Sequence, residues 1–133
     1  MSDEMFAEIE AARARVDAQI AEAEQRRSAM DQLAGEVKEL SASARSARGE
    51  VTATALPGGK VTAVQFSDAA LSLGPGALSR LATSTIAQAQ HEAASAAVER
   101  TAQLLGDDSP FVHELRARMH ESFPAADNGI QLG

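Results

Sequence analysis

The chain opens with helix-forming residues patterned in sevens. From Ser2 to about Ala47 there is no proline and a single glycine, Gly35, and Ala, Glu, Arg, Gln and Leu predominate, which predicts one long helix. Stepping by seven from Ile9 meets Val16, Ala23, Met30, Val37 and Ala44, and the positions three further on include Ala12, Leu33 and Leu40. That spacing gathers apolar side chains into the seam of a coiled coil. Gln19 and Arg26 interrupt the companion positions and Ile20 falls beside the stripe, so the helix is better defined than its register. Straight, it would be a rod of roughly 65 to 70 Å at about 1.5 Å per residue, longer than a compact domain of this size is wide. The stripe therefore packs on a second copy of the chain or, alternatively, on the chain's own second helix.

After Arg48 and Gly49 the period falls to two. Val51, Ala53 and Ala55 alternate with Glu50, Thr52 and Thr54, Pro57-Gly58-Gly59 turns the chain, and Val61 to Phe66 forms a second strand. A solitary hairpin is marginal in water, so this one must pack on a helix or join a larger sheet. Leu71, Leu73 and Gly74-Pro75-Gly76 make a connector to a second long helix from about Ala77 to Leu105. Its apolar face, which includes Leu78, Leu81, Ile86, Ala89, Ala93, Ala97 and Val98, is mostly alanine in the middle and allows close approach of a neighbour. Gly106 stops it. Ser109 and Pro110, as N-cap and first residue, start a short helix over 109–122 with Phe111, Leu115 and Met119 on one side, and the aperiodic end from Pro124 reads as a flexible tail. The expected organisation is an α+β domain over 1–106, built as long helix, small antiparallel hairpin sheet and second long helix, followed by an extension over 107–133.

Composition adds a reason for oligomerisation. The 133 residues include four Phe and no Trp or Tyr, so one copy has little large apolar surface to bury at about 25 cal/mol per Å². Twelve basic and nineteen acidic residues give a net charge of −7, which opposes nonspecific attraction to polyanions. Locally the sign reverses: residues 38–60 hold Lys38, Arg45, Arg48 and Lys60 against Glu39 and Glu50, and Arg26-Arg27 lie in mid-helix. Those cations suit phosphate contact, although a salt-bridged surface would use the same charges.

The search for chemistry turns up no reaction centre. With zero cysteines, disulfides, thiolate zinc sites and thiol nucleophiles are all excluded. The serines lie in alanine-rich helix without a nucleophile elbow, and no carboxylate pair stands out. His113 and His120 are seven apart, too far for one compact metal site, and with His91 they read as ordinary solvated histidines. Gly58-Gly59-Lys60 resembles the end of a phosphate-binding loop, but Thr54 stands where its first glycine belongs and Val61 where a hydroxyl would hold magnesium. No enzyme activity, cofactor, metal or small-molecule substrate is expected. The acidic start and the lack of 18 consecutive apolar residues point to a cytoplasmic protein with no membrane partner.

The order of elements, with Gly49-Glu50-Val51-Thr52-Ala53-Thr54, the Gly-Gly turn, Lys60-Val61-Thr62-Ala63-Val64-Gln65-Phe66 and the helix carrying Leu78, Leu81, Ile86, Ala89 and Ala93, resembles the YbaB/EbfC family of bacterial nucleoid-associated proteins over roughly residues 5 to 105. The resemblance implies a tweezer-like homodimer that binds double-stranded DNA in the nucleoid, with low sequence specificity, through projecting helices. This chain departs from the family pattern in its alanine-rich strands and in the extension from Asp107 onward. Charge and placement make Arg26, Arg27, Lys38, Arg45, Arg48 and Lys60 the candidate DNA contacts. The apolar pattern makes Ile9, Val16, Met30, Leu33, Val37, Leu40, Val51 and Val64 the candidate dimer contacts. The competing function is a protein-interaction adaptor that keeps the fold without binding DNA, motivated by the acid surplus and the extension.

Overall fold

The computed structural model describes residues 2–126, so that the last seven positions of the expected tail lie outside the described residues. The elements in order are α1 (Asp3–Lys38), β1 (Ala42–Arg45), β2 (Val51–Ala55), β3 (Val61–Phe66), a 3-10 turn (Asp68–Ser72), α2 (Pro75–Leu105) and α3 (Pro110–Ser122). The chain divides into two units, one ending at Gly35 and one beginning at Glu36.

The first unit is the greater part of α1, whose first turn carries Asp3 and Glu4, favourable at a helix N-terminus. Its large apolar residues are uncovered: Met5, Phe6, Ile9, Val16, Ile20 and Met30 are between 42% and 57% exposed. At 100° per residue, Met5, Ile9, Val16, Ile20 and Met30 fall within about a quarter of the helix circumference, so the apolar stripe is real.

The expected helix overran its end. α1 stops at Lys38, and Ala42–Arg45, which the heptad count had carried on as helix through Ala44, is a strand. It pairs antiparallel with β2 in the register Ala42 with Ala55 to Arg45 with Thr52, and the Ser43 and Thr54 hydroxyls are 2.7 Å apart across the pair. The sheet thus has three strands in the order β1-β2-β3, one more than the hairpin alone. β2 and β3 pair as expected, with a register shift at Thr54–Ala55.

Alternation along the strands turns Ala44, Val51, Ala53 and Ala55 toward α2, and all four are buried. Ala44, Ala53 and Ala55 meet Ala89 of α2 in one cluster flanked by Val64 and Ile86. Methyl groups alone separate the two layers there, so helix and sheet approach closely, as the alanine-rich face of α2 suggested. Two buried hydroxyls on α2, Thr85 and Thr101, are satisfied by donating to the carbonyls of Leu81 and Ala97 one turn back, at 2.7 and 2.8 Å.

Gly106 ends α2 with φ +90° and its amide bonded to the Ala102 carbonyl at 2.8 Å. α3 then folds back on the helix. Val112 is fully buried against Val98 and Ala102, and Leu115 and Met119 pack alongside, whereas Phe111, expected on the buried side, is 51% exposed. The buried side therefore keeps Leu115 and Met119 as expected and takes Val112 in place of Phe111. Phe123 covers the β2–β3 turn: a Cβ placed on Gly59 would lie 2.8 Å from its ring.

Replacing Ala53 by Leu should force the sheet off α2 and cost about 1 to 3 kcal/mol, read as a lower urea midpoint at unchanged slope. A midpoint equal to that of the parent chain would contradict the close packing.

Candidate nucleic-acid interface

The six candidate cations do not form one patch. Arg26 and Arg27 belong to the first unit, and the other four lie in the second. Within the second unit, Lys38 precedes β1 and Lys60 precedes β3, both at the end of the sheet where Ala42 pairs with Ala55 and Val61 pairs with Ala55. Arg45 and Arg48 sit at the other end, where Arg45 pairs with Thr52. The five residues of β2 separate the two ends by roughly 17 Å at about 3.3 Å per residue. Lys60 and Arg48 are near one another in sequence, and the strand between them keeps them apart.

All six are exposed. Among the described residues the ion pairs are Arg100–Glu36 at 3.1 Å, Arg116–Glu99 at 3.6 Å and Arg118–Glu114 at 2.7 Å, so none of the six is paired with a carboxylate there. Unpaired cations on a surface retain their full attraction for an incoming anion.

The β1–β2 turn that carries Arg45 and Arg48 is braced by its own hydrogen bonds. The Ser46 amide donates to the Val51 carbonyl at 2.9 Å, the Val51 amide donates to Ser46 Oγ at 3.0 Å, and the Gly49 amide donates to the Ser46 carbonyl at 2.8 Å. Ser46 Oγ in turn donates to Glu50 Oε1 at 3.2 Å, and among the described residues Glu50 forms no ion pair with either arginine. Gly49 has φ +75°, and a Cβ on it would stand 2.7 Å from Nε of Arg45, whose guanidinium lies over the turn. Glycine is required there twice over, by the backbone angle and by the arginine.

The candidate dimer residues divide as well. Ile9, Val16 and Met30 are exposed, Leu33 is buried, and Val37 and Leu40 are half-buried. Val51 is fully buried beneath α2 and Val64 is half-buried against the alanine cluster, so both side chains are covered within the chain itself.

Sequence reasoning missed three polar side chains of α2. Gln90 donates to the Gly59 carbonyl at 2.8 Å, His91 Nδ1 lies 2.8 Å from the Phe123 carbonyl, and Gln88 Oε1 accepts from the Ala126 amide at 3.2 Å. His91, expected to be an ordinary solvated residue, is half-buried and tied to the extension. No local signal marks such contacts, because the partners are 31 to 38 residues away.

The family model described as the YbaB/EbfC DNA-binding family matches residues 10–108 of the chain. No curated protein and no solved structure matches it. The matched stretch takes in the sheet and α2 and ends before α3. Among the described residues, no helix is long and apolar enough to cross a membrane.

Gly49→Ala should cost about 1 to 2 kcal/mol through the left-handed backbone angle alone. Because the arginine adds its own clash, combining it with Arg45→Ala should recover part of the loss in thermal unfolding. Strict additivity of the two substitutions would show that the guanidinium does not rest on the turn.

Proposed function

From the chain's membership of the YbaB/EbfC DNA-binding family, we propose that it works as a nucleoid-associated homodimer that binds duplex DNA with low sequence specificity and carries out no catalysis. The family match over residues 10–108 carries this reading. The unpaired cations of the second unit support it, since a protein of net charge −7 can approach phosphate only where its charge is locally reversed. Contacts to phosphate fix position without reading base edges and so carry little sequence preference. Arg26, Arg27, Lys38, Arg45, Arg48 and Lys60 are the cations from which those contacts are drawn.

The dimer rests on a separate argument. The stripe of Met5, Ile9, Val16, Ile20 and Met30 lies open on an otherwise charged helix, and a matching stripe on a second copy would cover it in a coiled-coil pairing. The small core, whose largest fully buried side chains are two valines, makes such added burial valuable.

Light scattering should return twice the chain mass. A gel-shift titration should show binding to two duplexes of unrelated sequence within about threefold of each other, with log affinity falling linearly against log salt. No shift at micromolar protein in low salt would defeat the DNA-binding reading, and a monomer mass would defeat the dimer.

A further inference from the structure

The extension that follows the family-matched stretch encloses a cavity against it. α3 is anchored on α2 through Val112, fully buried against Val98 and Ala102. Beside that anchor lies a cleft of about 280 Å³, and all of its lining belongs to the second unit. Ala94, Ala97 and Val98 of α2, all buried, form its floor. Leu115, Met119 and Phe123 line it from the extension, and Pro57 and Gly58 from the β2–β3 turn. Five of the lining residues, from Leu115 to Phe123, come after residue 108, where the family match ends. The cleft is therefore a product of this chain's extension.

Its walls are tied in place. Gln90 donates to the Gly59 carbonyl at 2.8 Å, His91 Nδ1 lies 2.8 Å from the Phe123 carbonyl, and the Ser95 hydroxyl donates to Met119 Sδ at 3.4 Å. The turn and the extension are thus each bonded to α2, and a preformed cleft loses little freedom when it takes a ligand. Its chemistry is one-sided. Apart from Ser122 and Arg118, both exposed at its rim, the lining side chains offer only methyl, methylene, thioether and ring surface. Arg118 is the one charged residue among the described residues that line it. Its guanidinium pairs at 2.7 Å with Glu114 one turn back, and both side chains are more than half exposed. Such a pair is weak, so an incoming anion can replace it.

We infer that this cleft binds a free aliphatic carboxylate of about eight to ten carbons, with the hydrocarbon chain on the alanine floor and the carboxylate on Arg118. The inference goes beyond the DNA-binding reading and does not depend on it. An apolar trough with a guanidinium at its rim complements a molecule that has an apolar chain and an anionic head. The volume falls just below the roughly 300 to 1,000 Å³ of pockets that hold larger organic ligands, which suits a single short chain. The molecule is held as a ligand and not turned over, since no general base stands among the described lining residues.

The test follows the methyl NMR signals of the full chain as octanoate is added below its micelle concentration, with octan-1-ol as the uncharged probe of equal length. Octanoate should shift the methyls of Ala97, Val98, Leu115 and Met119 in a saturable way. R118Q, at an exposed position, should weaken octanoate by about threefold to fivefold, the range of an exposed charge pair, and leave octan-1-ol within about 1.5-fold. Gly58 has open space around its Cβ position, so G58L should fold and, by filling the cleft, weaken both probes by about fivefold or more, with circular dichroism confirming the fold. Shifts confined to Ile9, Val16 and Ile20 of α1, equal losses of both probes in R118Q, or parental binding by G58L would each overturn the assignment. Cleft methyls that move with protein concentration alone would give the cleft to a second copy of the chain and overturn it as well.

Discussion

The contact between one face of α2 and one face of the sheet is made of methyl groups, and the facing of the strands follows from it. Ala44, Ala53, Ala55 and Ala89 meet without any longer side chain between them. Dispersion falls off steeply with distance, so such a contact is worth having only when the layers come close, and it tolerates no branching at those positions. The same requirement decides which way each strand faces. Once the alanines of β1 and β2 must lie under the helix, the alternating residues Ser43, Arg45, Thr52 and Thr54 have no choice but to point outward.

Alanine is also why part of the fold was legible and part was not. The β2–β3 hairpin could be read because Val51, Ala53 and Ala55 alternate with polar residues and Pro57-Gly58-Gly59 marks the turn. β1 could not, because Ala42-Ser43-Ala44-Arg45 contains no β-branched or aromatic residue and Ala44 fits the heptad count that starts at Ile9. Pairing with β2 overrides the helical preference of those alanines, which is a tertiary effect that no local window contains. At α3 the start was legible from Ser109 and Pro110, and so were Leu115 and Met119, but a spacing of four drifts around the helix, and Val112 occupies the buried side that Phe111 leaves. The candidate site was legible as a list of cations and not as an arrangement: the sequence brings Arg48 and Lys60 near one another, and an extended strand sets them at opposite ends of the sheet.

Net charge is a poor guide to this molecule for the same structural reason. A value of −7 describes a chain whose acids are concentrated in its helices, while the strands hold few. An anionic polymer meets the local field within about a Debye length, roughly 8 to 10 Å at physiological salt, and not the total.

The ties made by Gln88, Gln90 and His91 have a kinetic consequence. These three neighbours on α2 hold the Gly59 carbonyl on one side and the Phe123 and Ala126 backbone on the other, so both segments converge on a single stretch of helix. Each bridge closes a loop of some thirty residues or more, and the entropy of that closure must be met before the contact rewards it. The stretch from Phe123 to Ala126 is secured by two such long-range ties and, at its start, by the Phe123 amide donating to the Met119 carbonyl at the end of α3. Its docking on α2 therefore carries a loop-closure cost that contacts within a single helix do not.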